Sequence, residues 1–322
     1  MTLIALPAEL LGQILRDLGS EFFFQDARRL TLSKRWYSAA WAVLGQDIKL
    51  SSTTLPLLLE NQKVLGQIGP HLNSISLHLK SFFDEYRARL QSDAADSSLL
   101  EEEWSTETNS RLGELATVLQ DCPRLRGLRV TASLETCNLA AVPFVRLLAT
   151  PNLTSLDLDI AGYYSVNGGT GFDDEPHLCE IINALLPTLR RLRCRMYFLC
   201  EDILGPLKVE DGLLKLEEVI LNLTRADCVG RPGGFPRRCR TIFGDPFSVT
   251  EEIETSAKEL VARMGNPKMV RVISFRPNSY KAYAFDAITG RRSWFTDLEG
   301  EWDAEGDEIV EGDEGEEETG GD

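Results

Sequence analysis

The stretch PNLTSLDL, residues 151–158, decides how most of this chain folds. Its last two leucines alternate with polar residues, which is the period of a strand that buries one face. The proline at its start favours a turn directly before that strand. Because the same phrase, P-x-L-x-x-L-x-L, returns along the chain, we expect one structural unit to be used repeatedly.

Six copies of the phrase align between residues 70 and 274. The first four are clear, and the last two are weaker. Their equivalent third positions are separated by 53, 28, 36, 27 and 53 residues. We expect each copy to form a short strand. The copies begin at Pro70, Pro123, Pro151, Pro187, Leu214 and Pro267.

Helical segments precede most copies of the phrase. Apolar residues recur there at intervals of three and four, which is the period of a helix with one buried face. These segments are residues 111–120, 140–149, 177–186 and 250–264.

A unit of helix, proline-containing turn and short strand resembles the leucine-rich repeat. The resemblance implies an α/β solenoid, with parallel strands on a concave face and helices outside. An ordinary α/β layer fold whose strands begin after a proline is the alternative, and the order of elements is compatible with both.

In either arrangement, alternate strand positions face away from the helices. These positions combine an arginine triplet on one strand with an acidic pair on the strand before it. We hypothesise that this surface selects a target protein by charge complementarity; charges that only keep a solvated face soluble are the alternative. The charged positions are Arg129, Asp157, Asp159, Arg191, Arg193 and Arg195.

A second pattern occupies residues 6–44. Pro7 and Gly19 bracket a predicted amphipathic helix over residues 7–18. Asp26 is a predicted N-cap of a short second helix, and Ser33 is a predicted N-cap of a third helix over Lys34–Leu44. Large apolar residues recur as wide stripes on the first and third helices, so this segment favours docking on another protein.

This segment resembles the F-box, the small helical module by which substrate receptors attach to the Skp-type adaptor of a cullin-based ubiquitin ligase. The resemblance implies an adaptor-binding surface. A helical hairpin that packs only on its own domain is the alternative. The residues to which the resemblance assigns adaptor binding are Leu6, Pro7, Glu9, Leu10, Ile14, Leu15, Leu18, Leu30, Leu32, Ser33 and Trp36.

Charge and cysteine content limit the other functions. The net charge of −16 comes largely from residues 297–322, which hold 14 acidic residues and no Lys or Arg. The remaining 36 acidic and 34 basic residues nearly cancel, so no basic footprint for nucleic acid is present. Seven cysteines without a C-x-x-C pair indicate reduced thiols rather than disulfides or a zinc site. We expect no metal, no cofactor, no membrane association, and a cytoplasmic or nuclear location.

These patterns divide the chain into an all-α F-box-like module (residues 1–48), a leucine-rich-repeat-like domain (residues 49–296) and a disordered acidic tail (residues 297–322). Loops are predicted at residues 92–110, 162–174 and 229–240. Residues 280–285 and 292–295 are predicted to form a hairpin that caps the last repeat.

The resemblance implies a substrate-recognition subunit of an SCF-type cullin-RING ubiquitin ligase, which binds the adaptor and cullin core at one end and an unknown target protein on its repeats. A scaffold protein whose F-box-like helices direct no ubiquitylation is the alternative. None of the three histidines stands in a recognisable catalytic motif, so we do not expect an enzyme.

Overall fold

The computed structural model describes residues 6–25, 29, 32–80, 97–132, 141–160, 177–196, 199–206, 213–223, 246–275, 282–295, 302–304 and 307–308. Leu30 and the predicted loops 162–174 and 229–240 lie outside these residues.

Helices and strands alternate along most of this described part. The helices are α1 (Ala8–Gln25), α2 (Lys34–Leu44), α3 (Thr54–Glu60), α4 (Gln62–Ile68), α5 (Ser97–Gln120), α6 (Ala141–Leu148), α7 (Leu178–Leu185) and α8 (Pro246–Val261), with a 3-10 helix at Glu201–Ile203. The strands are β1 (Asp47–Ser51), β2 (Ser74–Leu79), β3 (Gly127–Ala132), β4 (Ser155–Ile160), β5 (Arg191–Met196), β6 (Glu218–Asn222), β7 (Met269–Phe275), β8 (Ala282–Asp286), β9 (Arg292–Phe295) and β10 (Asp307–Glu308).

All ten strands form one sheet whose spatial order is the chain order. Strands β1 to β7 are parallel, and β8, β9 and β10 continue the sheet in antiparallel fashion. Parallel neighbours are joined by right-handed crossovers, so a strand order that never reverses places every connecting helix on the same face. The opposite face of the sheet stays free of these helices, and we call it the open face.

The core lies between the sheet and the helices. Alternate strand residues such as Leu77, Val130 and Leu158 share one row of the sheet and are fully buried. They belong to one continuous cluster with helix residues such as Leu115 and Phe144. The repeated leucines therefore supply the apolar face on which the helices pack.

One hydrogen-bond pattern opens each parallel strand from β2 to β7, and we call it the shared turn. In it, a single backbone carbonyl accepts two N–H groups from the following repeat. The Arg126 carbonyl accepts from Thr154 at 2.8 Å and from Ser155 at 2.9 Å. The equivalent acceptors in the other repeats are the carbonyls of Gln46, Asn73, Thr154, Arg190 and Glu217.

The six predicted repeat strands are confirmed as β2 to β7, and the predicted hairpin is confirmed as β8 and β9. The four predicted helices before the repeats correspond to part of α5 and to α6, α7 and α8. The first parallel strand, β1, was not predicted, because neither the proline nor the leucine of the phrase precedes it, whereas each of the other parallel strands has at least one of the two. It also straddles the predicted domain boundary at residue 48.

Three predictions need correction. The segment 92–110 is not a loop from Ser97 onward, because α5 begins there; its glutamates are good helix formers in spite of their charge. Helix α1 continues through Gly19 to Gln25, since its packing outweighs the cost of one glycine. The tail predicted to be disordered contributes β10 and residues 302–304 to the ordered structure.

Candidate functional site

The N-terminal helical pair consists of α1 and α2, which pack on each other through a small core of their own. Leu11 and Leu15 of α1 meet Trp36, Ala40 and Val43 of α2, and all five are buried. Because this core is separate from that of the sheet, the pair forms a distinct unit of packing.

Hydrogen bonds set where the second helix of the pair begins. The Ser33 side chain accepts from the Trp36 backbone N–H at 3.1 Å, which confirms the predicted N-cap. The Trp36 indole N–H donates to the Arg29 carbonyl at 2.5 Å, and the Arg35 guanidinium donates to the Leu6 carbonyl at 2.6 Å. The start of α1 is thereby tied to the start of α2.

The apolar stripe predicted on α1 divides between two directions. Leu11 and Leu15 point to the pair's core, whereas Leu10 (54% exposed), Ile14 (half-buried) and Leu18 (43% exposed) follow one another at intervals of four residues outside it. Residues four apart lie on the same side of a helix. The outer residues therefore form one apolar strip, which we call the outer stripe.

The residues assigned to adaptor binding fall into two groups, one buried within the pair and the other at least partly exposed at its surface. Leu15 and Trp36 are buried within the pair, at 0% and 4% exposure, so they support its fold rather than its surface. Leu32 is 60% exposed, and Ser33 is engaged as a cap. Leu6 is half-buried, and Pro7 and Glu9 are exposed.

The open face of the sheet carries the charged residues predicted for target binding. Strand register aligns Arg129, Asp157 and Arg193 in one row across β3, β4 and β5, and it aligns Asp159 with Arg195 in the next row. Charges of opposite sign are therefore direct cross-strand neighbours, which is the stabilising arrangement.

Two ion pairs join these neighbours. Arg195 binds Asp159 through two parallel hydrogen bonds, from Nε to Oδ1 at 2.8 Å and from Nη2 to Oδ2 at 2.7 Å. Arg129 pairs with Asp157 at 3.0 Å. Burial raises the pKa of the Asp157 carboxyl above its ordinary value, and this effect outweighs the opposite influence of Arg129, Arg193 and Arg191.

Residues 302–304 lie against the arginines of this face. The Trp302 ring is 5.3 Å from the guanidinium carbon of Arg193 and 4.9 Å from that of Arg195, which is cation–π distance. Asp303 pairs with Arg193, and it also lies 3.6 Å from Arg191. We call this set of three arginines with Arg271 the arginine cluster.

Arg271 of β7 completes the cluster by holding the backbone of the same segment. Its Nη1 atom donates to the Trp302 carbonyl at 2.9 Å and to the Ala304 carbonyl at 2.7 Å. Contact between residues 302–304 and the sheet was not predicted, because the acidic composition around them resembles a disordered tail. The lone tryptophan among the acidic residues was the available signal.

An apolar patch borders the arginine cluster on the open face. Ile220 and Ile273 occupy outward positions of β6 and β7, and they pack with Ala284, Phe295 and Trp302 in a second small core. The predicted hairpin thus extends the sheet beyond β7, and its Ala284 and Phe295 contribute to this apolar patch beside the charged rows of β3 to β5.

The described residues also include a group with ligand types that suit a metal. His177, Cys179 and Cys200 are buried, and their donor atoms lie within 4.8 Å of one another; His177 also lies near Glu180 and Asp202. Two ligands of one tetrahedral zinc ion stand about 3.3–3.8 Å apart, and the Nε2 atom of His177 is 3.4 Å from the Cys200 sulfur. This group was not predicted, because Cys200 lies 23 residues from His177 and no metal-ligand spacing connects them.

The chain matches no known protein family, and no curated protein matches it significantly. Among the residues described, no helix has the length and apolar character needed to cross a membrane.

Proposed function

We propose that this chain is the substrate-recognition subunit of an SCF-type cullin-RING ubiquitin ligase. In this proposal the helical pair binds a Skp-type adaptor, and the open face binds a target protein. The outer stripe carries the proposal, because three large apolar residues in line on a helix surface leave water when a partner covers them. The resemblance of residues 6–36 to the F-box favours the adaptor as that partner.

We infer further that the sheet is a leucine-rich-repeat-like solenoid. Chain-ordered parallel strands, buried leucines at equivalent positions and the shared turn support this inference. A sheet of this kind offers an extended face for a partner, while its other face is filled by helices.

The role of such a subunit is positional. Binding the adaptor and the target at the same time places lysines of the target near the ubiquitin-charged enzyme. The reaction is then accelerated by effective concentration rather than by side chains of this chain.

A binding assay with purified Skp-type adaptor tests the proposal. We expect the full chain to retain the adaptor and the Leu10→Lys/Leu18→Lys double variant to lose it, because two charges would replace the apolar contact. Leu57 and Leu213 are exposed at 66% and 69%, so a Leu57→Lys/Leu213→Lys variant is the matched control and should bind normally.

Circular dichroism must show that both double variants are folded. Equal adaptor binding by the two variants, or no binding by the unaltered chain, would contradict the proposal. In a second assay with the cullin added, retention of the adaptor without recovery of the cullin would instead support a scaffold that directs no ubiquitylation.

A further inference from the structure

The arginine cluster contacts three different features of the short segment it holds. Arg193 and Arg195 face the aromatic ring of Trp302, Arg191 and Arg193 face the carboxylate of Asp303, and Arg271 binds backbone carbonyls. An aromatic ring, an adjacent acid and a main-chain contact are the elements by which a protein recognises a peptide.

Residues of the sheet itself hold part of this cluster in place. Asp159 binds Arg195 through two hydrogen bonds, and Glu218 lies 3.1 Å from Arg191. Neither anchoring acid belongs to residues 302–304. The cluster would therefore keep much of its geometry if another segment took the place of Trp302, and a preformed site binds at lower entropic cost.

A competing segment can match the contacts that hold residues 302–304 if it supplies an aromatic residue of its own, because Trp302 is buried against Ile220, Ile273 and Phe295. Asp303 is 43% exposed, and ion pairs at such exposed positions contribute little to stability. The cation–π contacts of Arg193 and Arg195 are available to any aromatic ring that takes the place of Trp302. The segment also benefits from being part of the same chain, which raises its local concentration.

We propose that the arginine cluster is a binding site for an acidic segment of the target protein in which an aromatic residue directly precedes Asp or Glu. This inference rests on the proposed function for its assignment to a target. In the absence of the target, Trp302 and Asp303 occupy the site as an internal copy of the ligand. The acidic residues around them match the charge of the ligand that the arginines select.

Peptide binding to the full-length chain tests this proposal. The probe is a fluorescent peptide with the sequence of residues 299–306, EGEWDAEG. Fluorescence anisotropy should show at least tenfold tighter binding to a Trp302→Ala/Asp303→Asn variant than to the unaltered chain, because the variant lacks the ring and the carboxylate that contact the arginines. The peptide EGEADAEG should bind that variant at least tenfold more weakly than EGEWDAEG.

Arginine substitutions combined with the Trp302→Ala/Asp303→Asn variant locate the site. Arg193→Ala should weaken peptide binding at least tenfold. Arg190→Ala, which removes an arginine 66% exposed and paired with Glu217 outside the cluster, should change it less than twofold. Equal losses for both would show non-specific attraction between charges and overturn the proposal.

If loss of the buried Trp302 unfolds the protein, the single variant Asp303→Asn is used instead. It keeps the ring and should still bind the peptide at least threefold more tightly than the unaltered chain. No gain in a folded variant, or tighter binding of a single-stranded oligonucleotide than of the peptide, would overturn the proposal. Because the assay contains no adaptor, its failure is distinct from failure of the adaptor assay.

Discussion

Arg195 of β5 and Asp159 of β4 form an ion pair with two hydrogen bonds on the open face of the sheet, and the arginine is buried there. The arginine is only 2% exposed, because Trp302 lies over its guanidinium. A buried charge is costly when its partner of opposite sign is removed, because the charge is then left poorly compensated away from water.

Removing that partner should therefore destabilise the protein. We expect Asp159→Ala to lower the free energy of unfolding in urea by about 3 kcal/mol. The control is Glu107→Gln, which breaks the exposed pair between Glu107 and Arg111 on α5. It should cost about 0.5 kcal/mol or less. A similar cost for both variants would show that burial does not strengthen the Arg195 pair.

The N-cap of α2 provides a second prediction. Ser33→Ala removes the oxygen that accepts the Trp36 N–H, and we expect the free energy of unfolding to fall by about 1 kcal/mol. Ser38 lies within the same helix, where its hydroxyl donates to the Lys34 carbonyl. Ser38→Ala should be neutral or slightly stabilising, because alanine is the better helix former. Equal destabilisation by both would contradict the cap assignment.

Trp36 lies in the core of the helical pair, whereas its neighbour Tyr37 lies at the surface. We expect Trp36→Ala to cost about 3–5 kcal/mol, because it leaves a cavity between α1 and α2. Tyr37 is 44% exposed and stacks on Trp41 with ring centroids 5.6 Å apart. Tyr37→Ala should cost about 1 kcal/mol. Thermal unfolding followed by circular dichroism measures the stability of both variants. A Trp36→Ala variant that is as stable as Tyr37→Ala would contradict the buried position of Trp36.

Two carboxylates should respond to pH in opposite directions. The pKa of Asp157 is raised by burial, so the folded chain binds its proton more tightly than the unfolded chain does. As the pH falls from neutral through that pKa toward the ordinary value of 3.8, the unaltered protein should gain stability relative to Asp157→Asn.

Glu217 should show the opposite trend. Its pKa is lowered, first by a hydrogen bond from Lys268 and then by nearby positive charge. The stability it contributes is present above the unfolded pKa and is lost as the pH falls through the folded one. The advantage of the unaltered protein over Glu217→Gln should therefore shrink on acidification. Denaturation curves at several pH values measure both trends, and slopes of the same sign would contradict this account.

The repeats were predictable because their signal is carried by apolar residues at fixed spacing. All six strands that follow the P-x-L phrase form, since Leu156, Leu158 and their equivalents have one face on which to be buried. The arginines and aspartates of the open face were predictable from the same alternation of apolar and polar residues along the strands. Strand register then needed no further information, because each copy is aligned by the same leucines.

The rest depended on contacts that a linear pattern does not contain. Whether Leu10 or Leu11 faces the partner helix is decided by how α1 packs on α2. The place of Trp302 is decided by arginines more than 100 residues earlier in the chain, as the separation of 110 residues between Arg193 and Asp303 shows. His177 and Cys200 are 23 residues apart in the sequence, and they come into contact only through the folding of the repeat between them.

The shared turn has a consequence for how such a chain can change. Each repeat is aligned to its predecessor by one carbonyl, as Arg126 aligns the repeat that begins at Pro151. The connection between the end of a strand and the helix that follows can therefore lengthen without disturbing that alignment, provided that the helix keeps its place on the core. This explains how intervals of 27 and 53 residues coexist in one regular sheet. It also makes those intervals the natural places for insertions that adapt the protein to new partners.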